Sequence, residues 1–219
     1  MATQTSTSLR FALLITSASG FLDAYTYLCR GGVFANAQTG NMILLGVNLS
    51  GRHWLEASEK LWPILAFVVG VAFANFLKSD RAERRVSHPI RWAMVAQAAV
   101  LAVVGFVPVT VPDAAVTIPI AFVAAMQIGL FRTVGSLSYI AIATTGNLMR
   151  FTEALYAGIV DRNSESKQAA AVYAAIICSF AGGAVLGAIG TRQMGAQAAW
   201  IPAAILAITL ALFYVDERD

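Results

Sequence analysis

Long apolar stretches alternate with short polar loops along most of the chain. The clear ones lie near residues 9–29, 60–78, 90–108, 115–134, 169–190 and 196–215. A helix needs roughly 20 apolar residues to cross a bilayer, so this pattern predicts six membrane-spanning α-helices. Two further stretches, 31–51 and 136–160, are apolar but interrupted by Gly, Asn, Gln and Thr. For these, a full crossing and a helix that begins in mid-membrane both remain open.

The two interrupted stretches repeat each other. ANAQTGNMILLGVNL at 35–49 aligns without a gap with AIATTGNLMRFTEAL at 141–155, and one clear span precedes and two follow each of them. Gly70 in FVVGVAF then aligns with Gly183 in FAGGAVL, and Trp92 aligns with Trp200. The shared order predicts an internal duplication, with repeats near 9–108 and 115–215, inside one transmembrane domain covering 1–219.

Basic residues set the predicted orientation. One short loop carries Lys78, Arg81, Arg84, Arg85 and Arg91, and loops rich in Lys and Arg tend to stay in the cytoplasm. If the interrupted stretches dip in and return, six full spans leave both termini cytoplasmic and the two halves inverted. If they cross fully, eight spans result and the repeats are parallel, with a weaker charge bias. We favour an all-α bundle of six spans plus two re-entrant or broken helices.

Composition supports the membrane assignment and excludes several function classes. The 219 residues are 58% hydrophobic and 12% charged, whereas about 25% charged is usual for a soluble domain. In such a chain the net charge of +3 concerns topology, and we expect no nucleic-acid partner. We expect Cys29 and Cys178 to be packing residues. The histidines lack neighbouring ligands, and the spans lack a nucleophile–base pair, so we expect no metal, cofactor or enzymatic activity.

The TGN triplets are the strongest candidate for a functional site. Gly relaxes the backbone, and Thr or Asn can cap a following helix. Both triplets therefore predict helices that begin inside the membrane, with exposed N–H groups and a positive dipole end. Such starts are tolerated only in protein or beside a wet cavity. The predicted pathway residues are Asp23, Asn36, Gln38, Thr39, Gly40, Asn41, Gln127, Arg132, Thr144, Thr145, Gly146 and Asn147. The alternative is that these polar side chains only join packed helices.

Charged residues within the apolar stretches give two further predictions. Asp23 lies well inside the first span, where a carboxylate is a functional-site hypothesis by default. It could hold H⁺ or Na⁺ or orient substrate, or it could simply pair with Arg132. Arg150 and Glu153 stand three residues apart on one helix and predict an ion pair before a substrate contact.

Small residues recur every fourth position in two stretches. They are Thr16, Gly20 and Ala24 in the first span, and Ser179, Gly183 and Gly187 in the fifth. Such faces allow close helix packing. We expect packing within the chain first and a homodimer face second.

The stretch GFLDAYTYLCRGGVFANAQTGNMILLG resembles the YoaK-like family of small bacterial membrane proteins, a family of unknown function. The resemblance rests on Gly20, Asp23, Ala24, Phe34, Thr39, Gly40 and Asn41, with support from TGNLMR at 145–150 and from the hydropathy profile. It implies a multi-pass protein of the bacterial inner membrane and supplies no substrate.

These observations lead to a transport hypothesis. A secondary transporter would carry a small polar solute, with H⁺ or Na⁺ as the coupling ion, along a path between the two repeats. A passive channel with two opposed half-helices is the alternative within transport. A scaffold or sensor that carries no flux is the alternative outside it.

Overall fold

The computed structural model describes residues 8–84, 88–139, 141 and 144–216. Arg85 of the basic loop and Ala143 of the second TGN stretch lie outside them, as do both chain ends. The predicted all-helical class is confirmed, with one two-residue antiparallel hairpin added. The elements are α1 (Leu9–Cys29), α2 (Gln38–Ser50), α3 (Trp54–Leu77), α4 (Asp80–Glu83), α5 (Pro89–Val104), α6 (Ala114–Leu130), β1 (Thr133–Val134), β2 (Leu137–Ser138), α7 (Thr144–Val160), α8 (Ser164–Met194), a 3₁₀ turn (Gly195–Ala199) and α9 (Trp200–Asp216).

Two helical stretches of the described chain are long and apolar enough to cross a membrane. They are Trp54–Leu77 and Ser164–Leu212, the second running through α8, the 3₁₀ turn and most of α9. Arg91–Val104 and Ala114–Leu130 are shorter apolar helices. By length and composition, these two stretches are therefore candidate membrane spans in an all-helical fold.

Helix α1 packs along α8 through the two small-residue faces. Gly183 lies against the Ser17 carbonyl oxygen, and Gly187 lies against the backbone of Phe21. The Ser179 hydroxyl donates to the Leu13 carbonyl at 2.7 Å. The predicted faces therefore meet each other within the chain, where a larger side chain would separate the backbones.

The remaining helices form a bundle around this pair. Helix α3 packs on α6, where Gly70 lies against α6 and Gly129 lies against α3. Helix α2 packs on α3 and α7 packs on α8, while α5 packs on α6 and α9, and α9 also packs on α1. Each of the short helices α2 and α7 thus lies on the outside of a long neighbour.

Buried Arg30 joins loops at one face of the bundle. Its guanidinium donates to the carbonyls of Val107 at 2.6 Å and Pro108 at 3.0 Å, and to the Tyr25 hydroxyl at 3.1 Å. That hydroxyl donates in turn to the Ala196 carbonyl at 3.2 Å. The C-terminal ends of α1, α5 and α8 therefore lie together, and the charge of Arg30 is satisfied by carbonyl groups.

The opposite face holds the start of α1 and the ends of α3 and α6. The rings of Phe11 and Phe131 meet edge to face with centroids 4.8 Å apart. The Lys78 ammonium, just after α3, donates to the Gly129 carbonyl at 2.5 Å. The basic loop follows Lys78, so positive charge concentrates at this face.

The structure corrects two predicted span boundaries. Helix α3 begins at Trp54, before the apolar run at 60–78, and Pro63 lies inside it. Its first two turns mix apolar residues with Glu56, Glu59 and Lys60, which lowers their hydropathy. Ala57 is nevertheless buried, and Lys60 donates to the Gly31 carbonyl. Helix α6 ends at Leu130, because the β1–β2 hairpin takes over part of the predicted span 115–134.

Candidate functional site

Asp23 fixes the chain segment that leads into α2. Its Oδ1 atom accepts the backbone N–H groups of Asn36 at 2.7 Å and Ala37 at 3.4 Å. The Asn36 side-chain amide donates to the Ser19 carbonyl at 3.0 Å. Because Ser19 and Asp23 lie in the middle part of α1, these bonds hold the start of α2 near mid-height of the bundle.

Asn41 and Gly40 shape the same segment. The Asn41 carboxamide accepts from the Phe34 N–H at 2.9 Å and donates to the Phe34 carbonyl at 2.7 Å and to Gln38 at 2.9 Å. A Cβ atom at Gly40 would lie 2.6 Å from the Phe34 ring. The Asn41 side chain thus supplies the hydrogen bonds that the backbone of Phe34 lacks in the non-helical segment before α2. Gly40 leaves room for the Phe34 ring.

The predicted capping role of the TGN residues is wrong for the first triplet. Helix α2 already begins at Gln38, and its N-cap, Ala37, makes no side-chain capping bond. The triplet therefore lies within the first turns of α2. The Asn41 side chain folds back on the segment before the helix because Phe34 presents both an N–H and a carbonyl to it.

Helix α7 repeats the exposure pattern of α2. Gln38 and Thr144 are half-buried, Thr39 and Thr145 are exposed, Gly40 and Gly146 are half-buried, and Asn41 and Asn147 are buried. The four successive positions at each helix start thus match in order, so Thr39 and Thr145 are the accessible residues of their triplets.

A central cavity of about 630 Å³ joins the two helix starts. Four polar residues of the first turns line it, together with Asn36 and Arg132. Its remaining described walls come from α3, α6, α8 and the segment before α2. The lining residues are Asn36, Ala37, Gln38, Thr39, Phe67, Val71, Ile128, Arg132, Thr144, Thr145 and Phe180.

Positive charge lies at this cavity. Exposed Arg132 lines it, and the Arg132 Nε group donates to the Ile128 carbonyl at 3.3 Å. Desolvation, and then the nearby Arg132 guanidinium, lower the pKa of the Lys78 ammonium. The alternative pairing of Asp23 with Arg132 is not formed: the described partners of Asp23 are backbone N–H groups, and Arg132 bonds to its own helix.

A groove of about 340 Å³ adjoins the cavity and contains Asp23. It runs between α1 and α8 to Arg192, and it shares Ala37 and Phe180 with the cavity. Asp23 is 5% exposed, and its second oxygen, Oδ2, has no hydrogen-bond partner. The carboxylate thus holds the backbone with one oxygen and leaves the other, also buried, without a hydrogen-bond partner among the described residues.

Eight predicted residues are not among those that line the cavity, namely Asp23, Gly40, Asn41, Gln127, Gly146, Asn147, Arg150 and Glu153. Gln127 accepts a hydrogen bond from the Gln97 side chain between α6 and α5, both residues being buried. Half-buried Arg150 and exposed Glu153 lie farther along α7, and no salt bridge joins these two described side chains. The predicted ion pair is therefore not formed in this structure.

Aromatic residues of the cavity were missed by the sequence analysis. Phe67 and Phe180 are apolar residues in apolar helices, so neither stands out by composition. The aligned heptads FVVGVAF and FAGGAVL do begin with these two residues. Extending the repeat outward from Gly70 and Gly183 would have found them.

The chain belongs to the family described as protein of unknown function (DUF1275), which matches residues 11–212. No curated protein and no solved structure matches it. The family match covers both helix starts and the whole central cavity.

Proposed function

We propose that this member of the DUF1275 family carries a small polar solute across a membrane through the central cavity, acting as a secondary transporter and not as an enzyme. One observation carries the proposal. The starts of α2 and α7, which are far apart in sequence, meet at one cavity together with Arg132. Non-helical backbone at such depth is expected only where it is buried in protein or lines a wet cavity, and paired half-helices at mid-membrane are a known form of transporter site.

The packing pattern supports an internal duplication with halves near 9–108 and 115–215. Exchanging α1 with α6, α2 with α7, α3 with α8 and α5 with α9 turns the α1–α8 contact into the α6–α3 contact. The same exchange relates the α2–α3 and α7–α8 contacts, and the α5–α6 and α9–α1 contacts. Phe67 and Phe180 line the cavity from related positions. We therefore assign the cavity to the interface of two repeats.

The same contacts support six spans with two re-entrant helices. The C-terminal ends of α1, α5 and α8 share one face through Arg30 and Tyr25, whereas Lys78 lies at the other face. Helix α2 has 13 residues and rises about 20 Å, less than the roughly 30 Å of a hydrocarbon core. Helix α7 is longer, but it too starts at the cavity between α3 and α8. Both termini are then cytoplasmic, beside the basic loop.

We assign coupling to Asp23. Its free oxygen lies in the groove, and its other oxygen holds the segment that enters α2. Binding of H⁺ or Na⁺ there would change the charge that holds this segment, next to the cavity wall at Ala37. The narrower likeness to YoaK-like proteins of the bacterial inner membrane is compatible with this proposal.

The test uses purified protein in liposomes. Small metabolites are screened for thermal stabilisation, and the stabilising solutes are assayed for uptake with and without a proton or sodium gradient. Accumulation above equilibrium supports a transporter, and equilibration alone supports the channel alternative. If none of the stabilising solutes enters faster than in empty liposomes, the proposal fails in favour of a scaffold or sensor.

Two variants locate the path. Replacing Thr39 and Thr145 together by Val removes both cavity hydroxyls while keeping the side-chain shape, and we expect uptake about tenfold or more slower. Thr152→Val is the control, because exposed Thr152 lies on α7 away from the cavity and bonds only to the Leu148 carbonyl. Equal uptake by both variants would contradict the assigned path.

A third variant tests coupling. Asp23→Asn keeps an oxygen that accepts the Asn36 N–H but removes the charge. We expect downhill flux to persist and gradient-driven accumulation to be lost. Unchanged accumulation would remove Asp23 from the coupling role.

A further inference from the structure

The side chains that line the central cavity carry positive charge, whereas the Asp23 carboxylate lies outside the lining and accepts the N–H groups of Asn36 and Ala37. The described residues that line the cavity contain Arg132 and no Asp or Glu. Arg132 makes no ion pair with a described residue, and Lys78 lies near enough to interact with it unfavourably. An anion placed beside Arg132 would relieve this repulsion and would accept charge-assisted hydrogen bonds from the guanidinium.

The helix starts add donors of the same kind. Thr39 and Thr145 present hydroxyl groups, and the first turns of α2 and α7 bring the positive ends of two helix dipoles to the cavity. The N-cap Ala37 gives α2 no side-chain capping bond. These groups therefore favour an oxyanion beside Arg132.

Asn36 adds a requirement of the opposite kind. It lines the cavity, is 1% exposed, and its Oδ1 atom has no hydrogen-bond partner. Its amide nitrogen already donates to the Ser19 carbonyl. This bond fixes the orientation of the carboxamide and leaves its oxygen without a donor. A buried acceptor without a donor is destabilising, and a ligand that supplies a donor removes that penalty.

We propose that the solute is a small organic anion that also carries a hydrogen-bond donor, namely a short hydroxycarboxylate. The carboxylate lies beside Arg132 and the two helix starts, the hydroxyl donates to Asn36, and the carbon chain contacts Phe67 and Phe180. This inference rests on the proposed function for the location of the site and adds the chemical class of the solute.

The test compares three small probes on the purified full chain. Glycolate has a carboxylate and a hydroxyl, acetate lacks the hydroxyl, and glycolamide lacks the charge. Binding is measured in detergent micelles by calorimetry and by the shift in Tm. We expect acetate to bind about tenfold more weakly than glycolate. Glycolamide should bind at least about tenfold more weakly than glycolate. If glycolamide binds as well as glycolate, or glycolate does not bind, the inference is wrong.

Matched variants place the anion. Arg132→Gln should weaken glycolate binding about tenfold or more, while glycolamide binding stays unchanged. Arg10→Gln is the control, because Arg10 is equally exposed and lies outside the central cavity. Equal losses in both variants would mean that only the overall charge matters, which would overturn the assignment.

Truncation of the Asn36 side chain tests its role as the acceptor for the ligand hydroxyl. Asn36→Ala should abolish the preference for glycolate over acetate while acetate still binds, which shows that the variant is folded. If the preference survives, or if acetate binding is lost as well, the role of Asn36 is wrong. Binding without flux would refute the proposed function alone, and flux of neutral solutes without anion binding would refute this inference alone.

Discussion

Replacing Gly187 by Ala tests the packing that places Asp23 next to Phe180. Gly187 is buried in α8, and an added Cβ would lie 2.6 Å from the Phe21 carbonyl oxygen and 2.7 Å from the Phe21 Cα atom of α1. Both are backbone atoms, which no change of rotamer can move. Ordinary contact begins near 3.4 Å, so α1 and α8 must separate by about 0.8 Å.

The magnitude follows from two opposing effects. Overpacking of this kind costs about 1–3 kcal/mol, and a gap of this size loses a quarter to a half of each displaced contact. Ala is intrinsically better than Gly in a helix by about 0.5–1 kcal/mol. We therefore expect a net loss of about 1–2 kcal/mol in the free energy of unfolding.

Gly182→Ala is the matched control. Gly182 is the exposed neighbour of Gly183 in the same helix, and a Cβ there would meet nothing within 4 Å. We expect it to be neutral or slightly stabilising, so that the two variants differ by about 2 kcal/mol. Reversible unfolding in mixed micelles measures this difference, and uptake should fall only in the Gly187 variant. Equal unfolding free energies in the two variants would refute the α1–α8 geometry.

Three further predictions follow from the same structure. With both native cysteines replaced, Arg52→Cys should react with a membrane-impermeant maleimide in intact cells and Arg81→Cys only after lysis. The reverse result would refute the proposed orientation of α3 in the membrane. Asn41→Leu should destabilise the protein by about 1–3 kcal/mol, because it leaves the part-buried N–H and carbonyl groups of Phe34 without their side-chain partner. A loss below about 0.5 kcal/mol in micelle unfolding would contradict this clamp. Arg30→Met should cost about 2–4 kcal/mol by leaving two loop carbonyls unpaired, and Arg30→Lys should cost less. If the Met and Lys variants have equal free energies of unfolding, the guanidinium bonds to the two loop carbonyls do not stabilise this face.

The sequence predicted helix boundaries well where hydropathy determines them. It predicted them less well where tertiary packing determines them. The apolar runs at 90–108 and 196–215 correspond to α5 and α9 with small shifts. The start of α3 at 54–59 was missed because Glu56, Ser58 and Glu59 lower its hydropathy, and no local pattern encodes the tertiary bond of Lys60 to Gly31 beside it. The hairpin after α6 was missed because its residues are apolar enough to extend a span.

In the candidate site, too, the sequence predicted some residues correctly, and only packing decided the role of others. The sequence singled out Thr39, Thr145 and Arg132 by residue type and repetition, and the structure places all three at one cavity. It also assigned Asn41 to the pathway, although the structure uses that side chain to hold Phe34. An Asn that lines a path and an Asn that replaces a backbone partner look the same in a sequence.

The sequence alone determined that the chain is helical and apolar, because helix formation and hydropathy are local properties of the residues. Only the tertiary structure decided that α1 lies on α8 and α3 on α6, since this choice depends on glycines that meet distant backbone atoms. It also decided that one oxygen of Asp23 bonds to the segment before α2 and the other to none of the described residues. Partners so far apart in sequence become neighbours only when the whole bundle has packed.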